Sequence, residues 1–112
     1  MKRQEQIKYN EKVLDFRNDF YNKNKTIDRD KENRLYNCNA TYGTAGDYIY
    51  LRSYETIVAV INIYYNTCYN FVEYEFINKP YNSPWKTTRT TSQQVSKFCK
   101  KFGSYQIIYR ET

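Results

Sequence analysis

An α+β domain is the fold class this 112-residue sequence predicts: an antiparallel sheet of about four to five strands, an N-terminal helix, and a second helix over about 91–102 packed on the sheet. Three observations predict it. Ile57, Val58, Ala59, Val60, Ile61 and Ile63 form an almost unbroken, β-branched apolar run, as suits a central strand covered on both faces. Several short stretches alternate apolar and polar residues between turn signals, which is the pattern of half-buried strands. Two stretches instead carry apolar residues at i, i+3 and i+7, the spacing of one helical face. The length allows a single domain, residues 1–112, with one modest core.

In chain order, residues 3–22 read as an amphipathic helix, with Val13, Phe16 and Phe20 in a stripe and Leu14 and Tyr21 beside it. Residues 22–33, NKNKTIDRDKEN, hold one apolar residue and read as a mobile polar connector. Arg34–Tyr42 alternates and predicts a strand; Gly43–Asp47 reads as a turn and Tyr48–Ser53 as the returning strand. The apolar run at 57–63 is the third strand. Beyond Asn66 and Thr67 comes a fourth, through Val72, Tyr74 and Phe76, with Glu73 and Glu75 on its outer face. Asn78–Arg89 contains two prolines and the lone Trp and reads as an irregular loop. Thr91 with Gln94, or Thr90 with Gln93, is a candidate capping box, opening a helix with Val95, Phe98, Cys99 and Phe102 inward. Gly103 is placed to stop it, and Tyr105–Tyr109 reads as a last strand. The expected core is Val58, Val60, Ile61, Val72, Phe76, Val95, Phe98, Phe102 and Ile107.

Composition narrows the function classes. There is no histidine, and Cys38, Cys68 and Cys99 are sparse and odd in number, so the sequence predicts free thiols, no metal site, no cofactor and a cytoplasmic setting. No apolar segment reaches the roughly 20 residues that span a bilayer, so no membrane association is expected. Tyr supplies fourteen of the aromatic residues, a side chain that buries its ring but keeps its hydroxyl on a partner or water. The net charge of +6 is uneven: residues 79–112 carry seven Lys or Arg against the single acid Glu111. Such an excess favours polyanionic partners.

The segments LRSYETIVAVI (51–61) and TTRTTSQQVSKF (87–98) together resemble a pattern in small proteins of phages and mobile elements of Gram-positive bacteria. The matching positions are Ser53, Tyr54, Thr56, Val58 and Ala59, then Thr90, Thr91, Ser92 and Phe98. The resemblance covers under half of the chain and departs at Gln94 or Val95, where the family tends to place a histidine. It implies an origin rather than a mechanism.

The acids available for proton transfer are Asp47, Glu55, Glu73 and Glu75; Glu73 and Glu75, two apart on a strand, would share an exposed face as solubilising charges. Gly43 and Gly46 lack the context of a phosphate loop, and Cys99 lies on an apolar stripe. The sequence therefore predicts a binding protein and no enzyme. The candidate contact residues are Lys79, Tyr81, Trp85, Lys86, Arg89, Lys97, Lys100 and Lys101, a basic and aromatic set. It fits two partner classes: unpaired bases with their phosphates, or a protein surface. By analogy with small phage proteins lacking a catalytic centre, the leading expectation is an anti-CRISPR-type inhibitor of a host defence complex, a protein or nucleoprotein. A nucleic-acid-binding accessory protein is the alternative.

Overall fold

The computed structural model describes residues 3–25, 27, 29–35, 40–53, 56–77 and 84–111, with 76–77 and 84–90 described by backbone alone. Helix α1 (Arg3–Lys23) leads through a 3-10 turn (Arg29–Lys31) into β1 (Asn33–Arg34), β2 (Ala40–Ala45), β3 (Tyr48–Ser53), β4 (Thr56–Asn62) and β5 (Thr67–Asn70). Helices α2 (Val72–Ile77) and α3 (Pro84–Phe102) follow, then β6 (Tyr105–Ile108). The six strands lie side by side in chain order. The first five form an antiparallel meander, whereas β6 runs parallel to β5. A parallel pair needs a long crossover, and α2 with α3 supplies it.

The expected single core is divided by the sheet into two. On one face Leu51, Val58, Ala59, Ile61 and Cys68 pack with Val95, Phe98 and Cys99 of α3 and Val72 of α2. On the other, Tyr50, Ile57, Val60 and Tyr69 pack with Val13 and Phe20 of α1, with Ile107 at the margin. Val60 and Ile107 thus belong to the α1 side, and the side chain of Phe76 lies outside the described residues. Strand β4 serves both faces, as its unbroken apolar run predicts. The β3–β4 register slips between Leu51 and Arg52, pairing Leu51 with Ala59 and Arg52 with Ile57. Val58 is the extra residue, so Val58 and Ala59 both reach the α3 side.

Four expectations about elements are corrected. Residues 72–77 form a helix, not the outer half of a strand: Asn70 Oδ1 accepts the Val72 N–H at 3.0 Å, and two acids sit in the first turn, where a helix favours them. The period-2 pattern there competes with this local cap, and the cap wins. Residues 84–89 belong to α3 rather than to an irregular loop, because Pro84 occupies the first helical position, where its missing N–H costs nothing. The stretch 34–42 is no single strand: Asn33 and Arg34 pair back onto Tyr42 and Thr41, and Leu35 N–H donates to Ala40 C=O at 2.9 Å. The turn expected over 43–47 shrinks to Gly46 and Asp47, with Gly46 at φ 59°, while Gly43 pairs with Tyr50 inside the ladder. A Cβ at Gly43 would stand 2.6 Å from Tyr50 Oη, so the ring lies where only glycine leaves room.

The helix ends are chemically specific. Gly103, at φ 61°, closes α3: its N–H donates to Lys100 C=O at 3.2 Å and Ser104 N–H to Cys99 C=O at 3.0 Å, the paired bonds of a Schellman stop. Helix α1 shields the outer edge at β6. Asn10 donates through Nδ2 to Arg110 C=O at 2.6 Å and accepts the Arg110 N–H at 3.0 Å, and Gln6 Nε2 donates to Ile108 C=O at 3.3 Å. Amide side chains thereby satisfy backbone groups that would otherwise invite another strand.

Candidate contact surface

The buried polar groups hold the fold together. Glu32, from the connector expected to be mobile, turns its carboxylate inward and accepts from Thr41 Oγ1 (2.7 Å), Tyr50 Oη (2.7 Å) and Arg52 Nε (3.1 Å). Burial alone would raise its pKa, but these donors outweigh burial and hold the carboxyl below its usual value. The same contact pushes Tyr50 up, first by burial and then because its hydroxyl donates to a carboxylate. Glu75 is only 6 % exposed and is paired with Arg17, which lies 4.8–4.9 Å from the ring centroids of Tyr21 and Tyr74. Burial, with help from Glu75, pushes Tyr21 up to about 12. Glu73 bonds Arg110 at 3.0 Å and the Glu111 N–H at 2.8 Å. The two acids therefore do not share a solubilising face: Glu75 is a buried anchor and Glu73 clamps the C-terminal segment. Asp47 sits on the exposed β2–β3 turn, and Glu55 lies outside the described residues.

The two resembling segments meet inside the protein. Ser53 Oγ, at the end of β3, donates to Gln94 Oε1 at 2.5 Å and lies 3.1 Å from Thr91 Oγ1, all three residues buried. The expected capping box is thus no cap: Thr91 and Gln94 stand mid-helix and latch α3 to the sheet. Cys68 and Cys99 are free thiols in the same interior, and burial pushes the Cys68 thiol well up. Cys38 lies outside the described residues.

The outward side of α3 is different. The helix, PWKTTRTTSQQVSKFCKKF, contains no acid. Its inner positions Thr91, Gln94, Val95, Phe98 and Cys99 are buried, whereas Gln93, Ser96, Lys97, Lys100 and Lys101 are exposed. By helical periodicity positions 86, 89, 93, 97 and 100 fall on one stripe, spaced three or four apart. The expected contact residues Lys86, Arg89, Lys97, Lys100 and Lys101 therefore share one helix, over a rise of about 22 Å from 86 to 101. Trp85 shares the first turn of that helix. The side chains of Trp85, Lys86 and Arg89, and the whole of Lys79 and Tyr81, lie outside what is described. Lys101 Nζ stands 5.7 Å from the Tyr42 ring centroid and 6.0 Å from that of Phe102, so its stem packs on the margin of the core while the residue stays exposed.

The sequence reading missed the neighbouring tyrosines. Tyr64 (83 % exposed) and Tyr65 (70 %) form the tip of the β4–β5 turn, and Tyr105 (73 %) starts β6. Asn62 Oδ1 accepts the N–H groups of Tyr64 (2.9 Å) and Tyr65 (3.3 Å). Asn66, at φ 53°, ties the tip to the end of α3: its Nδ2 donates to Gly103 C=O at 2.8 Å and its C=O accepts the Tyr105 N–H at 2.9 Å. The available signal was two tyrosines between two turn-forming asparagines.

Among the described residues no group of three or more Cys, Asp or Glu is arranged to hold a metal ion, and no helix is long and apolar enough to cross a membrane. No family model, curated protein or solved structure matches the chain.

Proposed function

We propose that this is a small phage or mobile-element protein that acts by binding, without turnover, and inhibits a host defence complex of the anti-CRISPR target class in the bacterial cytoplasm. The acid-free sequence of α3 supports this reading: it carries five Lys or Arg within sixteen residues, and Lys97, Lys100 and Lys101 are exposed where Val95, Phe98 and Cys99 of the same turns are anchored in the core. A field of one sign over that length steers a polyanionic partner onto the helix. A nucleoprotein complex offers such a partner both in its nucleic acid and in acidic protein surface. The phage assignment rests on the resemblance of 51–61 and 87–98, whose two halves are joined by the Ser53–Thr91–Gln94 latch.

The test is affinity capture from a Gram-positive bacterial lysate, with and without nuclease, using wild type and the variant Lys97→Glu, Lys100→Glu, Lys101→Glu. Capture of a defence nucleoprotein at fixed stoichiometry, lost on charge reversal with an unchanged melting temperature, supports the proposal. Equal capture of such a complex by both proteins moves the interface away from α3, and capture of none by wild type removes the defence-complex assignment.

A further inference from the structure

We infer that the tyrosine tip is a stacking platform for unpaired nucleobases, so that the anionic partner met by α3 is single-stranded nucleic acid. The inference rests on the reading of α3 as a contact helix and names the partner's chemistry. Tyr64, Tyr65 and Tyr105 are the most exposed large apolar or aromatic side chains among the described residues. Solvation alone gives no reason to present three aromatic rings at one end of a sheet. The backbone that carries them is held in place: the Asn62 and Asn66 bonds fix the turn and join it to Gly103, so little backbone order remains to be imposed on binding. The Tyr64 and Tyr65 rings meet edge to face, 5.2 Å between centroids at 74°, which leaves ring faces open to stack on.

Charge selects the occupant. The last turn of α3 carries Lys100 and Lys101, and only Gly103 and Ser104 separate that helix from Tyr105. Asp47, on the β2–β3 turn, is an acid near this end, since its C=O accepts the Ile63 N–H at 3.0 Å. Rings that accept any base, beside cations that neutralise phosphates, are the recurring components of single-strand binding. A second copy of the chain would bring the same cations against each other. An added peptide strand would meet Gln6 and Asn10 at the far end of that edge, where they already bond the Ile108 and Arg110 carbonyls, and its backbone would give the tyrosine rings nothing to stack on. In duplex nucleic acid the base faces are stacked on one another and closed to the tyrosines.

The experiment is fluorescence anisotropy of a labelled single-stranded oligonucleotide of mixed sequence and of its duplex, at two salt concentrations, with poly-glutamate as competitor. Wild type should prefer the single strand. Tyr64→Ala with Tyr65→Ala should weaken binding by about tenfold or more and leave the salt slope unchanged, and the Phe pair at the same positions should restore it. Lys100→Glu with Lys101→Glu should lower the salt slope by about two. Equal affinity for duplex, unaltered affinity in the Ala pair, or displacement by poly-glutamate as effective as by unlabelled single strand overturns the inference. If charge reversal abolishes capture of a defence complex while the Ala pair retains it and no oligonucleotide binds, the platform fails and the α3 proposal stands.

Discussion

The two faces of the sheet solve the same burial problem with different side chains. Under α3 the packing is aliphatic and small, with Val58, Ala59, Ile61, Cys68 and Val95 around Phe98, and one buried latch, Ser53 with Thr91 and Gln94. Under α1 it is aromatic and polar at its edges: Phe16 stacks on Tyr69 at 3.9 Å, Phe20 meets Tyr48 edge to face at 5.5 Å, and Tyr50 reaches Glu32. The difference follows from tyrosine. A Tyr-rich face gains large area per residue, but each hydroxyl must end on a partner, so carboxylates and arginines are drawn to its rim. The α3 face needs few such partners, and Lys97, Lys100 and Lys101 of its helix stay exposed. The aromatic side draws Arg17 and Arg52 inward onto Glu75 and Glu32, whereas the described cations of the aliphatic side's helix remain at the surface.

The largest expected effect tests the dry face. Phe98→Ala should cost about 3–5 kcal/mol in a denaturant melt, because its tightly packed neighbours cannot collapse into the space. Phe16→Ala, half-buried on the other face, should cost about 1–2 kcal/mol. Equal losses would show that the two faces pack alike.

Glu32→Gln comes next, at about 1–3 kcal/mol, since Arg52 is left beside a neutral group and a strong acceptor is lost. The sign of its pH dependence is fixed. The folded carboxyl has a lowered pKa, so its contribution is present above the ordinary glutamate value and is lost as pH falls through the folded one. Wild type should therefore lose stability in acid more steeply than the Gln variant. Parallel acid limbs in the two pH–stability curves would exclude Glu32 as an acid-sensitive anchor.

Ser53→Ala removes the donor to Gln94 and should cost about 1–3 kcal/mol by leaving a buried acceptor unmet. Adding Gln94→Leu should recover part of that loss, because removing both partners removes the desolvation penalty as well. Failure of the second change to recover any stability would mean that the latch contributes through packing alone.

The smallest effect is expected at the tip: Tyr64→Ala with Tyr65→Ala should move stability by no more than about 0.5 kcal/mol per residue. A larger loss in thermal unfolding would make these rings part of the fold rather than a surface held out from it.

What the sequence by itself determined is the set of elements whose periodicity is long and unopposed. The stripe Val13, Phe16 and Phe20 specifies α1, the apolar run 57–61 specifies a strand buried on both faces, and Gly103 specifies the stop of α3, because each rests on one repeat or one backbone requirement. The basic composition of α3 was equally legible, although its first turns were not, since two prolines mask the helix that Pro84 begins. Only the tertiary structure decided the rest. At 72–77 the local cap by Asn70 favours a helix over the alternating pattern, and the distant partner that holds Glu75 inward is Arg17, fifty-eight positions away in the chain. The role of Thr91 and Gln94 turned on Ser53, which no local pattern connects to them. The tyrosine tip arose the same way: adjacency of the β4–β5 turn to the end of α3 exists only once β6 lies parallel to β5, a pairing of distant segments that short-range propensity does not encode.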